Sequence, residues 1–179
     1  MESLSQLWDS MEITESFRFR EPVDEIKAAR SRYERVSGIT LVPWQVIGVI
    51  HSREADCDFH CHLHNGDPLT GRTIHVPKGR PLEGDAPFTW EDSAIDALAY
   101  DTLSGLGGWD DIATTLDRIE RFNGLGYRRM GLPSPYLWAG TNHYLSGKYT
   151  SDGIYNPRAI DQEAGAAGLL RLLGYLEVS

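Results

Sequence analysis

Glu54 ends a short amphipathic run, Pro43-Trp44-Gln45-Val46-Ile47-Gly48-Val49-Ile50-His51-Ser52-Arg53-Glu54. Val46, Ile47, Val49 and Ile50 keep helical spacing, so one face of this helix belongs in a core. Glu54 stands four residues after Ile50, on the apolar side and near the helix end. A carboxyl walled by apolar groups resists ionisation, because desolvation disfavours the charged form. A carboxylic acid that keeps its proton near neutral pH can protonate the leaving oxygen of a glycoside. The plainer reading is a rim glutamate paired with Arg53 or another base.

Asp67 follows Asn65-Gly66, a strong tight-turn signal. As the base of an inverting glycosidase it would hold a water opposite the acid, with the two carboxyls about 6.5–9.5 Å apart. As a turn residue it would make an Asx bond instead. Thr70 and Thr73 lie on what reads as a short Thr-rich strand. Thr73 can help hold the same water and Thr70 can touch substrate, or both simply follow strand propensity. Asp56 and Asp58 are rival carboxylates, but they follow Glu54 too closely to reach across a cleft.

Cys57 and Cys61 flank a stretch that also holds His60, His62 and His64. Thiolate and imidazole are good zinc ligands, and alternate residues of a strand share a face. The spacing is not that of a zinc finger or of a His-Glu-x-x-His site, so no metal and no cofactor is expected. A Cys-His amidase is the nucleophilic alternative, with either thiol attacking a peptide bond.

These residues need a scaffold, and the coarse pattern is mostly helical without repeats or linkers. A short helix is expected over Leu4 to Ile13, and Pro22 suits the first position of a helix over Val23 to Val36 that Gly38 ends. Pro43 opens the helix carrying Glu54. Residues 59–88, with Pro68, Pro77, Pro81 and Pro87, read as a turn-rich lobe with an irregular hairpin. Thr89 can cap the next helix, with Asp92 in its first turn and Ala94, Ile95, Ala97 and Leu98 at helical spacing. Trp109 to Phe122 is helical, with Ile112, Leu116, Ile119 and Phe122 on one stripe, and Asn156-Pro157 starts a last helix that runs from Ala159 to Tyr175. One domain over residues 1–179 is expected, α+β and mostly helical, with a central Glu-bearing helix and a small β-hairpin lobe.

A helix ending in Glu, then a polar turn with Asp, then a Thr-rich strand is the local plan of the lysozyme superfamily. The stretches His51-Ser-Arg-Glu54, His62-Leu-His-Asn-Gly-Asp-Pro-Leu-Thr70, His75-Val-Pro-Lys-Gly-Arg-Pro81 and Pro87-Phe-Thr-Trp-Glu91 resemble a family of phage and prophage lysozyme-like proteins. So do Phe122-Asn-Gly-Leu-Gly-Tyr-Arg128, Ser134-Pro-Tyr-Leu-Trp138, Asn142-His-Tyr144, Gly147-Lys-Tyr149 and Gly165-Ala-Ala167. The resemblance runs from about Tyr33 to Leu173. It implies a lysozyme-like fold and a peptidoglycan muramidase acting as an endolysin.

Phe122-Asn123-Gly124 resembles in part the Tyr-Asn-Ala-Gly signature of goose-type lysozymes and lytic transglycosylases, where the Asn binds an N-acetyl sugar. Phe replaces Tyr here, and Gly directly follows Asn. An amide offers both donor and acceptor to an acetamido group, and Asn-Gly also suits a helix C-cap. Tyr127 follows closely. Downstream, Tyr136, Trp138, Asn142, His143, Tyr144 and Tyr149 cluster in a Pro- and Gly-rich segment. Trp138 suits the core, and at least one of Tyr136, Tyr144 and Tyr149 should face a sugar.

The net charge of −9, from 26 acidic and 17 basic residues, argues against nucleic acid as a partner. No cationic amphipathic helix and no 18-residue apolar run is present, so membrane insertion is not expected. The start, Met1-Glu-Ser-Leu-Ser-Gln-Leu-Trp8, lacks the basic and apolar regions of a signal peptide. A monomer made in the host cytoplasm is therefore expected, with a holin or lysis releasing it to its partner, bacterial peptidoglycan. Two cysteines are too few for a disulfide framework, in keeping with that compartment. Two rival functions stand beside the muramidase: a lytic transglycosylase using Glu54 without a second carboxylate, and a wall-binding module without catalysis.

Overall fold

The computed structural model describes residues 2–151 and 153–176. Among them are nine helices and one two-stranded antiparallel sheet, so the chain is α+β and mostly helical. In order, the elements are α1 (Leu4–Asp9), α2 (Phe17–Ala28), α3 (Arg30–Thr40), α4 (Trp44–Ala55), α5 (Trp90–Tyr100), α6 (Ile112–Asn123), α7 (Gly126–Arg129), α8 (Pro135–Trp138), β1 (Lys148–Ser151), β2 (Ile154–Asn156) and α9 (Ala166–Leu172). No helix of the described residues is long and apolar enough to cross a membrane. The chain divides into two compact units, Asp24–Trp109 and the pair of segments Met1–Val23 and Asp110–Ser179.

In the Asp24–Trp109 unit, α4 is the most buried helix, with Val46 to His51 all inside. Ile47 and Ile50 are fully buried, each worth about 1.5–3 kcal/mol relative to exposure. Gly48 lets α4 approach closely, since a Cβ there would lie 2.5 Å from Ile26 Cγ2 and 3.3 Å from the Tyr33 ring. Pro43 supplies the N-cap position as the sequence implies. Thr89 caps α5 through the Asp92 amide at 3.1 Å, also as expected.

Several helix boundaries differ from the sequence reading: α1 stops at Asp9 rather than Ile13, and the one helix expected over Val23 to Val36 is broken at Ala29 between α2 and α3. Pro22 lies inside α2 rather than at its start. Tertiary burial overrides the signal: Phe19 is fully buried, and its ring fills the space that Cβ atoms on Gly140 and Gly168 would take. The turn before Pro22 is thereby recruited into the helix. Gly38 does not end α3, which runs to Thr40 and stops at Leu41 with φ 61°. Buried Val36 and Thr40 hold that last turn, with the Thr40 hydroxyl donating to the Val36 carbonyl at 2.9 Å. Helix α6 starts at Ile112, not Trp109, because the Asp111 carboxylate accepts from the Thr114 amide at 2.7 Å and caps it.

The sheet is not where the sequence reading put it. Residues 59–88 are turn-rich as expected, but hold only an isolated bridge between Cys61 and Pro68. Proline cannot donate to a ladder, and Thr73 pairs locally with Arg80 instead of with a neighbouring strand. The strands lie at Lys148–Ser151 and Ile154–Asn156, with Tyr149 opposite Tyr155. The last helix begins at Ala166, not Ala159. Gly165 fixes that start: a Cβ there would lie 2.6 Å from both the Leu137 oxygen and the Ala139 nitrogen. Trp138 is a core residue, 1% exposed, as expected.

Candidate active site

Glu54 occupies the last turn of α4 and is half-buried. The helix stops sharply after it. Asp56 and Cys57 both take left-handed backbone, with φ 54° and 57°. Their amides turn back to the Ser52 and His51 carbonyls. His51, one turn before Glu54, pins the exit: its Nε2 donates to the Asp58 carbonyl at 3.1 Å and its Nδ1 accepts from the Tyr33 hydroxyl at 3.0 Å. Phe59 and Trp90 pack around the imidazole with ring centroids 4.7 and 4.6 Å away. Burial pushes His51 down to about 4, so it is neutral at physiological pH.

The chain then folds back onto the helix end. His62 N–H donates to the Asp67 carbonyl at 2.6 Å, and Asn65 Oδ1 accepts from the Asp67 amide at 3.0 Å. Gly66, at φ 75°, closes this turn against Glu54, where a Cβ would sit 2.9 Å from the Glu54 carbonyl oxygen. Only glycine allows that approach. Glu54 and the Asn65–Gly66–Asp67 turn are thus neighbours in one compact unit.

The Asx bond of this turn comes from Asn65, not from Asp67. The Asp67 carboxylate reaches forward into the following loop. Its Oδ2 accepts from the Ile74 and His75 amides at 2.8 and 3.0 Å, and its Oδ1 from His75 Nδ1 at 2.6 Å. Asp67 is only 7% exposed. Burial alone would raise its pKa, but the His75 and Ile74 hydrogen bonds outweigh it and hold the carboxyl at about 2.

Thr73 is buried and its hydroxyl is fully used. It donates to the Pro77 carbonyl at 2.5 Å and accepts from the Arg80 amide at 2.8 Å. Thr73 N–H donates to the Arg80 carbonyl, and Gly79 N–H to the Thr73 carbonyl. Asn65 Nδ2 adds a bond to the Val76 carbonyl at 3.3 Å. The result is a tied loop whose tip, Ile74-His75-Val76, is exposed. Thr70 is exposed outside this network.

The other histidines are fasteners. His62 Nε2 donates to the Gly71 carbonyl at 2.8 Å and its Nδ1 meets the Ser93 hydroxyl at 2.7 Å. His64 Nε2 meets Asp96 at 2.8 Å, and Arg80 grips the same carboxylate with two bonds. Both rings anchor the turn-rich lobe to α5. His60 is exposed beside Asp58, so the three imidazoles do not converge. Among the described residues no three His, Cys, Asp or Glu side chains are placed to hold a metal ion. Burial pushes the Cys57 thiol up to about 11 and raises that of Cys61 too. Both shifts hold the thiols toward the protonated form.

The remaining predicted residues lie in the other unit. Asn123 is exposed at the last position of α6, followed by Gly124 at φ 101°. Tyr127 is buried and its hydroxyl accepts from the Tyr149 amide at 2.9 Å. The rings of Tyr127, Tyr149 and Tyr155 meet edge to face. Tyr136 and Tyr144 are buried, and the Tyr144 hydroxyl accepts from the Asp161 amide at 2.9 Å. Tyr149 is half-buried, so it and Asn123 are the two of this group open to a ligand. A pocket of about 250 Å³ in this unit is lined by Asn142, His143 and Tyr144. A groove of about 640 Å³ along α5, lined by Arg80, Phe88, Asp92 and Asp96, contains none of the predicted site residues.

Two contributors were not singled out from sequence. His75 stands eight residues after Asp67, a spacing with no periodic meaning in an irregular loop. The Tyr33–His51 pair joins two helices across eighteen residues, and only a buried polar atom in an apolar run hints at it. No family model, curated protein or solved structure matches the chain.

Proposed function

We propose that the chain is a lysozyme-like peptidoglycan muramidase, cleaving the β-1,4 bond after N-acetylmuramic acid with Glu54 as the general acid. The observation that carries this reading is the contact of the Asn65–Gly66–Asp67 turn with the end of α4 at Glu54. It brings the backbone at Glu54 against a polar, hydrogen-bonded loop, which supports a cleft with Glu54 on one wall and this loop on the other. Glu54 protonates the departing sugar oxygen. The loop from Asp67 through Thr73 supplies the opposite wall, with Thr70 at its exposed edge.

The engagement of Asp67 favours a second reading. A carboxylate held at about 2 by three hydrogen bonds is a weak base and has little room for a water. A lytic transglycosylase needs no second carboxylate, because the sugar's own C6 hydroxyl attacks. Mass spectrometry of digested peptidoglycan separates the two: free reducing ends mark hydrolysis, and 1,6-anhydro ends mark transglycosylation. In either case Glu54→Gln keeps shape without a proton to give, and activity should fall by at least the roughly 10²–10⁴-fold of one acid–base group. Near-normal clearance of cell walls by a folded Glu54→Gln protein would falsify the assignment.

A further inference from the structure

We propose that His75 is the base that takes the proton from the attacking water, and that Asp67 is its positioning partner. This rests on the muramidase reading above and names the group that Asp67 itself is badly placed to be.

Both oxygens of Asp67 point into the loop, and one of them meets His75 Nδ1 at 2.6 Å. A carboxylate only accepts, so Nδ1 carries the proton and donates it. In the neutral ring the lone pair is then on Nε2. The His75 side chain is 74% exposed while that of Asp67 is 8% exposed. The buried carboxylate thus orients an imidazole whose basic nitrogen is on the outer side. A carboxylate used this way fixes the tautomer and stabilises the imidazolium once it forms.

The mounting is rigid. The His75 amide and the Ile74 amide are both held by Asp67, and the Val76 carbonyl by Asn65. The same Asn65–Gly66 turn rests on the Glu54 carbonyl. The backbone at Glu54 and the loop that carries His75 are therefore tied to a common turn. In the step itself, Nε2 takes a proton from water as the water oxygen bonds to the anomeric carbon. The glycosidic C–O bond breaks, and Glu54 gives its proton to the departing oxygen. One proton then passes from the imidazolium to the Glu54 carboxylate through solvent, and both groups are reset. The sugar's configuration is inverted.

The test uses the full chain and purified peptidoglycan, with release of reducing ends as the rate and ¹⁵N NMR of the imidazoles as the independent readout. His75→Gln should lose roughly 10²–10⁴-fold in rate. It should stay folded, with a modest drop in melting temperature from the lost bond to Asp67. Added imidazole should restore part of the activity of His75→Ala and none of that of Glu54→Gln. The wild-type ring should be the Nδ1–H tautomer, and Asp67→Asn should abolish that preference. A His75→Gln rate within about threefold of wild type, with Glu54→Gln inactive, overturns this inference and leaves the muramidase intact. Anhydro products from the wild type overturn the water-activating role. No bond cleavage by the wild type overturns both readings.

Discussion

Acidification should weaken the fold through His51 before it touches any paired carboxylate. His51 is fully buried, and its two nitrogens are committed to the Tyr33 hydroxyl and the Asp58 carbonyl. Protonating Nδ1 breaks the Tyr33 bond and places a charge among the rings of Tyr33, Phe59 and Trp90. Burial, with a smaller push from the Arg32 guanidinium, lowers its pKa from 6.5 to about 4, against the opposing pull of the Asp58 carbonyl. The unfolded chain therefore takes up this proton first as pH falls. Stability is retained above pH 6.5 and lost as pH drops from there toward 4. Between pH 7 and 4.5 this one group withdraws about 2.5 kcal/mol, or about 5–10 °C of melting temperature for a chain of this size. Calorimetry of the wild type and His51→Gln over that range reads it. The variant should be less stable at pH 7, because Tyr33 loses its acceptor, yet its pH dependence should be flatter by that amount. Buried His64, lowered in the same direction, leaves a residual slope in both proteins. Parallel curves, or an NMR titration of His51 near 6.5, would refute the reasoning.

Two further outcomes follow from the same unit. Gly66→Ala forces a Cβ to 2.9 Å from the Glu54 carbonyl at φ 75°, so denaturant titration should show a loss of at least about 1–2 kcal/mol, with activity falling alongside. Iodoacetamide at pH 7 should leave activity intact and Cys57 slow to alkylate by mass spectrometry, because its thiol sits at about 11; rapid inactivation would restore the cysteine mechanism.

The parts of this chain that were legible were those with a local physical code. The period of Val46 to Ile50 gave α4 and the position of Glu54 on it, and Thr89 with Asp92 gave the start of α5. Asn65-Gly66 gave the turn. What failed depended on distant packing. Pro22 was absorbed into α2 because Phe19 is buried against glycines more than a hundred residues away. The start of α9 is set by the approach of Gly165 to the backbone at Leu137 and Ala139. The sheet had a sequence signal of its own, Asp152-Gly153 between two aromatic-containing runs. In the candidate site, the Asp67–His75 bond was not legible, since a side-chain bond inside an irregular loop has no spacing rule.

Thr73 gives the loop a property beyond its immediate shape. Four hydrogen bonds converge on this one residue, to Pro77, Gly79 and Arg80, and none uses a side chain from positions 74 to 76. The frame is therefore indifferent to the side chains at positions 74 and 76. Ile74 and Val76 could be exchanged for other residues with the backbone path unchanged, much as a hypervariable loop changes on a constant framework. Point substitution alone could give the tip a different surface, while Asn65, Asp67 and Thr73 stay fixed beneath it.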